Sequence, residues 1–145
     1  MTNAALVARK LAVLDEHLRR LRDRRPDDAA MLESNLLLQD ALAMSVLVVV
    51  QEAIDIALHI ASDEGWELAA KNREAFTVLE RHGVIDASLA ASLGGAVQLR
   101  NRIAHGYASL DVRRLHAELP GGMAAFSSYA AAISAFLACS SAPSP

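Results

Sequence analysis

Cysteine is nearly absent from the sequence: Cys139 stands alone among 145 residues, so an intramolecular disulfide is impossible. The Cys/His spacings of zinc sites are missing as well, and neither a metal nor a cofactor is expected. Aromatic residues make up only 4% of the chain, too few for the β-branched and aromatic pattern that strands favour. Neither a period-two alternation nor an internal repeat is present. Charge of one sign is scarce too. A net charge of -3 gives no general attraction for phosphate, so any nucleic-acid contact must come from a local group of arginines. The most apolar run, residues 41–50, stops at Gln51-Glu52, well short of the roughly 20 residues that span a bilayer. The N-terminus Met1-Thr2-Asn3-Ala4-Ala5-Leu6 lacks the basic-then-apolar form of a signal peptide. A soluble, cytoplasmic protein with no membrane contact is expected.

What the chain has in quantity is alanine and leucine. Hydrophobic residues account for 53% and charged residues for 21%, which is apolar material enough for the core of one domain. Ala and Leu also enter helices at little cost. The spacing predicts an all-α, up-and-down bundle of four or five helices over residues 1–139, with a disordered tail at 140–145. Leu6, Leu11, Leu14, Leu18 and Leu21 recur every three to five residues and mark a first helix at 4–22. Its end carries Arg19-Arg20-Leu21-Arg22-Asp23-Arg24-Arg25, positive charge suited to the negative end of a helix. Pro26 breaks it. Asp27 is placed to cap one long second helix, 28–62, apolar on nearly all sides and therefore central. Asn72 opens a short third helix, 73–82, closed by Gly83 in the left-handed conformation. Asp86 caps a fourth, 87–104 or slightly beyond, in which Gly94-Gly95 implies close backbone packing. Asp111 starts a fifth segment, which Pro120-Gly121-Gly122 kinks or breaks before it resumes to Cys139.

Most charged residues fit solvated helix faces. The stretch Arg100-Asn101-Arg102-Ile103-Ala104-His105-Gly106-Tyr107 does not, because it gathers Arg, Asn, His and Tyr at the end of a helix that otherwise reads as core. At about 100° per residue, Asn101 and His105 stack one turn apart, and Arg100 and Tyr107 share a face if the helix runs that far. These residue types suit RNA cleavage by the substrate's own 2′-hydroxyl. A base must take the 2′ proton, a cation must stabilise the crowded phosphorane, and an acid must protonate the departing 5′-oxygen. Imidazole serves either proton step near neutral pH. Guanidinium is always charged and its planar fork matches phosphate oxygens. Asn101 is placed to orient the imidazole, and the Tyr107 hydroxyl to contact phosphate or donate a proton. One His does not easily act as base and acid together, so a two-fold dimer setting two copies of the stretch face to face would supply both.

The pattern R-x4-H-x-Y resembles the signature of HEPN-domain ribonuclease toxins of the HepT type. The similarity continues in Ile54-Asp55-Ile56-Ala57-Leu58-His59-Ile60, Arg73-Glu74-Ala75-Phe76, Gly83-Val84-Ile85 and Asp111, which fall in that family's order, so it covers 51–119. The spacing alone is weakly specific; with its flanks it is strong. The resemblance implies a HEPN helical bundle that dimerises with the motifs at the interface. Arg100 and His105 would then be the catalytic pair and Tyr107 the motif tyrosine. It also implies an RNA substrate cut without a metal, and an MntA-like nucleotidyltransferase antitoxin that transfers AMP to Tyr107. Arg102 stands where the family is often apolar, and either adds phosphate affinity or reaches solvent. The alternative from another class is a non-catalytic HEPN module that binds a nucleotidyltransferase or a nucleotide.

Other polar residues carry plainer readings. Asp55 and His59 lie one turn apart, the spacing of a metal site or relay, but with no third ligand they read as a hydrogen-bonded pair that fixes packing, with a supporting role beside a dimeric site left open. The arginines of 19–25 serve either an RNA backbone or the helix end. Arg113, Arg114 and His116 read as surface ion pairs or as the rim of a phosphate site. His17 and His82 are expected at the surface, and Cys139 has no base to activate it.

Overall fold

The computed structural model describes residues 1–106 and 110–140; Tyr107, and residues 141–145 of the expected tail, lie outside the described residues. Among these, six helices form an all-α bundle. The first, α1 (Ala4–Arg24), opens on Asn3, whose side chain accepts the Leu6 N–H. It buries Val7, Leu11, Leu14, Leu18 and Leu21 against the core. Val7 takes the place expected for Leu6.

The long second helix is in fact two, α2 (Ala29–Glu33) and α3 (Leu36–Asp63). Asp28, not Asp27, caps α2, accepting the Ala30 N–H at 2.9 Å. Ser34 and Asn35 make the break, since both side chains compete for nearby backbone groups. Ser34 Oγ donates to the Met31 carbonyl, and Asn35 Oδ1 accepts the Leu38 N–H to start α3. Central as expected, α3 buries residues on several sides, from Leu42 to Ala61. By length and composition α3 and α6 are both apolar enough to cross a membrane, but 56% of the apolar window of α3 lies buried inside this bundle.

The short helix α4 (Glu74–Arg81) starts without a side-chain cap; the Glu74 carboxylate instead accepts the N–H groups of Ala70 and Lys71. Gly83 follows at φ 75°, the left-handed residue expected there. Asp86 caps α5 (Ala87–Gly106) through the Leu89 N–H at 2.7 Å, and that helix runs slightly beyond residue 104, as expected. The pair Gly94-Gly95 does not mark close packing within the chain: a Cβ on either would meet nothing within 4 Å.

Pro120 does not break the last helix, α6 (Val112–Ser140). A proline removes the N–H that would bond the carbonyl four residues back. Here that carbonyl belongs to His116 and accepts from the Arg25 guanidinium instead. Further along, the buried Tyr129 hydroxyl donates to the Ala53 carbonyl of α3 at 2.8 Å, and its ring meets Phe76 edge-on at 5.7 Å. These contacts pin α6 to α3 and α4.

Candidate active site

The apolar stripe that seats α5 is Ala90, Leu93 and Val97, spaced by three and four. The next position in that register is Arg100. Its guanidinium is thereby carried toward α3, into a hollow of about 300 Å³ lined by Leu47, Val48, Gln51, Glu52 and Ala104. Its Nε and Nη2 are buried and have no hydrogen-bond partner among the described residues. Glu52 Oε2, in the same hollow, also lacks a hydrogen bond and lies 3.5 Å from Lys10 Nζ. A buried donor left unpaired is costly, so this flank is where the single chain is least complete.

Ile103 is 2% exposed and anchors the last turn, leaving Asn101, Arg102 and His105 exposed. Asn101 and His105 sit one turn apart, as the spacing predicts, without a hydrogen bond to each other among the described residues. His105 lines a different cavity, about 370 Å³, between the end of α5 and the start of α6, with Leu99, Arg102, Leu110 and Arg114. Five residues at about 100° set Arg100 and His105 some 140° apart around the helix. One chain does not bring imidazole and guanidinium into one hollow. Arg102 Nη2 binds Glu118 Oε2 at 3.1 Å, and Arg114 Nε binds the other oxygen of the same carboxylate at 2.8 Å. Glu118 was not among the expected site residues, although its i,i+4 spacing from Arg114 was visible in the sequence.

Asp55 and His59 do not pair. Asp55 accepts from Gln51 Nε2 at 2.9 Å and lies 3.5 Å from Lys10 Nζ, while His59 makes no hydrogen bond among the described residues. The arginine run mostly serves the chain itself. Arg19 and Arg20 pair with Glu16, Arg22 donates to Ser127 Oγ, and Arg25 holds His116. Those bonds hold the Glu16 carboxyl below its ordinary range. Arg113 pairs with Glu33 of α2. His82 is bonded to Glu67 at 2.9 Å and stacked on Trp66 at 4.0 Å; His116 is buried, its Nε2 2.6 Å from the Pro26 carbonyl. No three His, Cys, Asp or Glu side chains gather as a metal site would need, among the described residues.

A family model described as Ribonuclease HepT-like matches residues 14–133. The chain belongs to the ribonuclease HepT-like family. An mRNA nuclease HepT of Shewanella oneidensis is 25% identical over 107 residues, covering 74% of this chain and 80% of that protein. The fold matches the tri-AMPylated Shewanella oneidensis HEPN toxin solved in complex with MNT antitoxin, at a TM-score of 0.83 and 23% identity, over 93% of this chain and 99% of that one. It also matches YutE of Bacillus subtilis, a cytosolic protein of unknown function, at a TM-score of 0.85 and 12% identity, over 99% and 96% of the two chains. The HEPN-like bundle expected from the HepT resemblance is the fold observed, with the second helix divided. This HepT-like chain is accordingly a homologue of the Shewanella oneidensis mRNA nuclease HepT.

Proposed function

We propose that the chain is the toxin of a toxin–antitoxin pair, a cytoplasmic endoribonuclease that cuts RNA without a metal and works as a homodimer. One observation carries this reading: a guanidinium, Arg100, is held at its flank with buried, unpartnered donors, five residues before the exposed His105 at the end of the same helix. A single chain supplies these two groups in separate hollows, and a second copy set against this surface completes the site. The 2′-oxygen of the substrate loses its proton to imidazole and attacks phosphorus. The bond to the 5′-oxygen breaks, leaving a 2′,3′-cyclic phosphate, and a second imidazole protonates the departing oxygen. Arg100 stabilises the charge of the phosphorane with its fork, Asn101 orients the imidazole, and Arg102 and Tyr107 contact phosphate.

Control fits the same stretch. An MntA-like nucleotidyltransferase antitoxin transfers AMP from ATP to the Tyr107 hydroxyl, whose oxygen bonds the α-phosphorus as pyrophosphate leaves and the proton is lost, placing a bulky anion where the RNA phosphate would sit. The family relation and the AMPylated toxin of Shewanella oneidensis support this assignment. The test is cleavage of total RNA by the purified protein in EDTA beside a folded His105→Ala variant. Cleavage by the first and a loss of about 10²-fold or more in the second is expected. Equal cleavage by both removes the catalytic assignment. Tight binding to the nucleotidyltransferase with no cleavage by either turns the reading to a non-catalytic module.

A further inference from the structure

We propose that the cleft between α5 and α6 is the RNA-strand subsite beside His105, with Arg102 and Arg114 as its phosphate contacts and Glu118 as the carboxylate that phosphate displaces. This rests on the ribonuclease reading above. The cavity at His105 continues along the two helices into a second of about 440 Å³, and the two share Leu99, Arg102 and Arg114. The floor of the second is small: a Cβ on Gly95, Gly121 or Gly122 would meet nothing within 4 Å. A sugar–phosphate backbone can therefore lie close against the helices, while a base rests on Leu99, Leu110 and Leu115.

The charges are arranged for exchange. One carboxylate, Glu118, is shared by two guanidiniums at 3.1 and 2.8 Å. A guanidinium has five N–H donors, and each of these two gives one to Glu118, so forks remain for phosphate oxygens. The side chains of Arg102, Arg114 and Glu118 are 40%, 56% and 36% exposed, and ion pairs this exposed are weak enough to be replaced. Asp111, the other carboxylate here, accepts the Arg114 N–H at 3.1 Å at the start of α6. The N-terminal end of that long helix favours an anion as well. Within the cleft two cations and two carboxylates cancel, so the cleft attracts RNA at contact and not from afar. A protein partner is the weaker occupant, because the cores of protein interfaces are depleted of charge.

Binding of a 2′-O-methyl RNA oligonucleotide, which has no free 2′-hydroxyl to attack, is measured by fluorescence anisotropy across a salt series with the full chain. Arg102→Gln and Arg114→Gln should each weaken binding several-fold and lower the slope of log affinity against log salt by about 0.7. Glu118→Gln should bind roughly two- to fivefold tighter, since it frees both forks; a merely structural ion pair predicts no such gain. Unchanged affinity and slope in all three variants, with His105-dependent cleavage intact, overturns the cleft and leaves the nuclease reading standing. A change of oligomeric state in the arginine variants, read by light scattering, makes the cleft an interface between copies and also overturns it. Neither binding nor cleavage by the unaltered protein removes both.

Discussion

The Arg25 guanidinium donates twice to the His116 carbonyl, from Nε at 3.1 Å and Nη2 at 2.9 Å. That oxygen is the one that Pro120, four residues on, leaves without a helical donor. Two residues at the end of α1 thus repair α6: Arg25 takes the orphaned carbonyl, and the Pro26 carbonyl lies 2.6 Å from His116 Nε2. A bond from a charged donor contributes about 1.5–3 kcal/mol. Arg25→Met should lower unfolding free energy by roughly that amount. In a Pro120→Ala background the alanine N–H returns to the same carbonyl, so the loss should shrink by about half or more. Chemical denaturation of the four proteins measures the coupling. Strictly additive effects would show that Arg25 does not replace the missing helical bond.

His17 makes stability depend on acid. Its Nδ1 lies 3.1 Å from Oγ of Ser45, which is 2% exposed. Burial, and next the charge of Arg20, hold the imidazole below its ordinary value. The unfolded chain therefore takes up this proton first as pH falls. Stability from this group is present above about pH 6.5, the ordinary imidazole value, and is lost as pH drops from there through the folded-state value. His17→Asn should flatten that part of the slope, read by urea unfolding between neutral pH and pH about 5. Parallel curves for the two proteins would exclude His17 as the source.

Much of this fold was legible because helices announce themselves locally. Asp86 before α5 and Gly83 after α4 both do what their residue types dictate. The break at Ser34-Asn35 was hidden because Leu36, Leu37 and Leu38 prolong the apolar pattern across it, although Leu36 and Leu37 are 73% and 83% exposed. Pro120 misled for another reason: its remedy comes from Arg25, ninety-one residues from His116 in sequence, and no local rule can show such a bond. The site divides the same way. Arg100 could be read as out of place, since it continues the Ala90–Leu93–Val97 register that should stay apolar. Its hollow against α3, and the convergence of Arg102 on Glu118 across two helices, exist only once the bundle is folded.

The separation of Arg100 from His105 within one chain makes a specific demand of the proposed dimer. If the working site joins the guanidinium of one copy to the imidazole of the other, Arg100→Gln and His105→Ala should each be inactive alone. Mixed and allowed to exchange subunits, half the dimers contain one of each chain, and each of these holds one intact combination of Arg100 and His105. The proposed cleavage uses both imidazoles of the dimer and such a mixed dimer keeps only one, so little or no activity should return, far below the quarter that one imidazole per site would give. Arg100→Lys is a sharper version of the single variant, because a point charge lacks the planar fork and should not restore cleavage. The mixture is assayed on RNA in EDTA after refolding the two variants together. Recovery of about a quarter of the unaltered activity, in a sample shown by mass spectrometry to contain mixed dimers, would mean that one imidazole with the other copy's guanidinium suffices, and the two-imidazole step would fall.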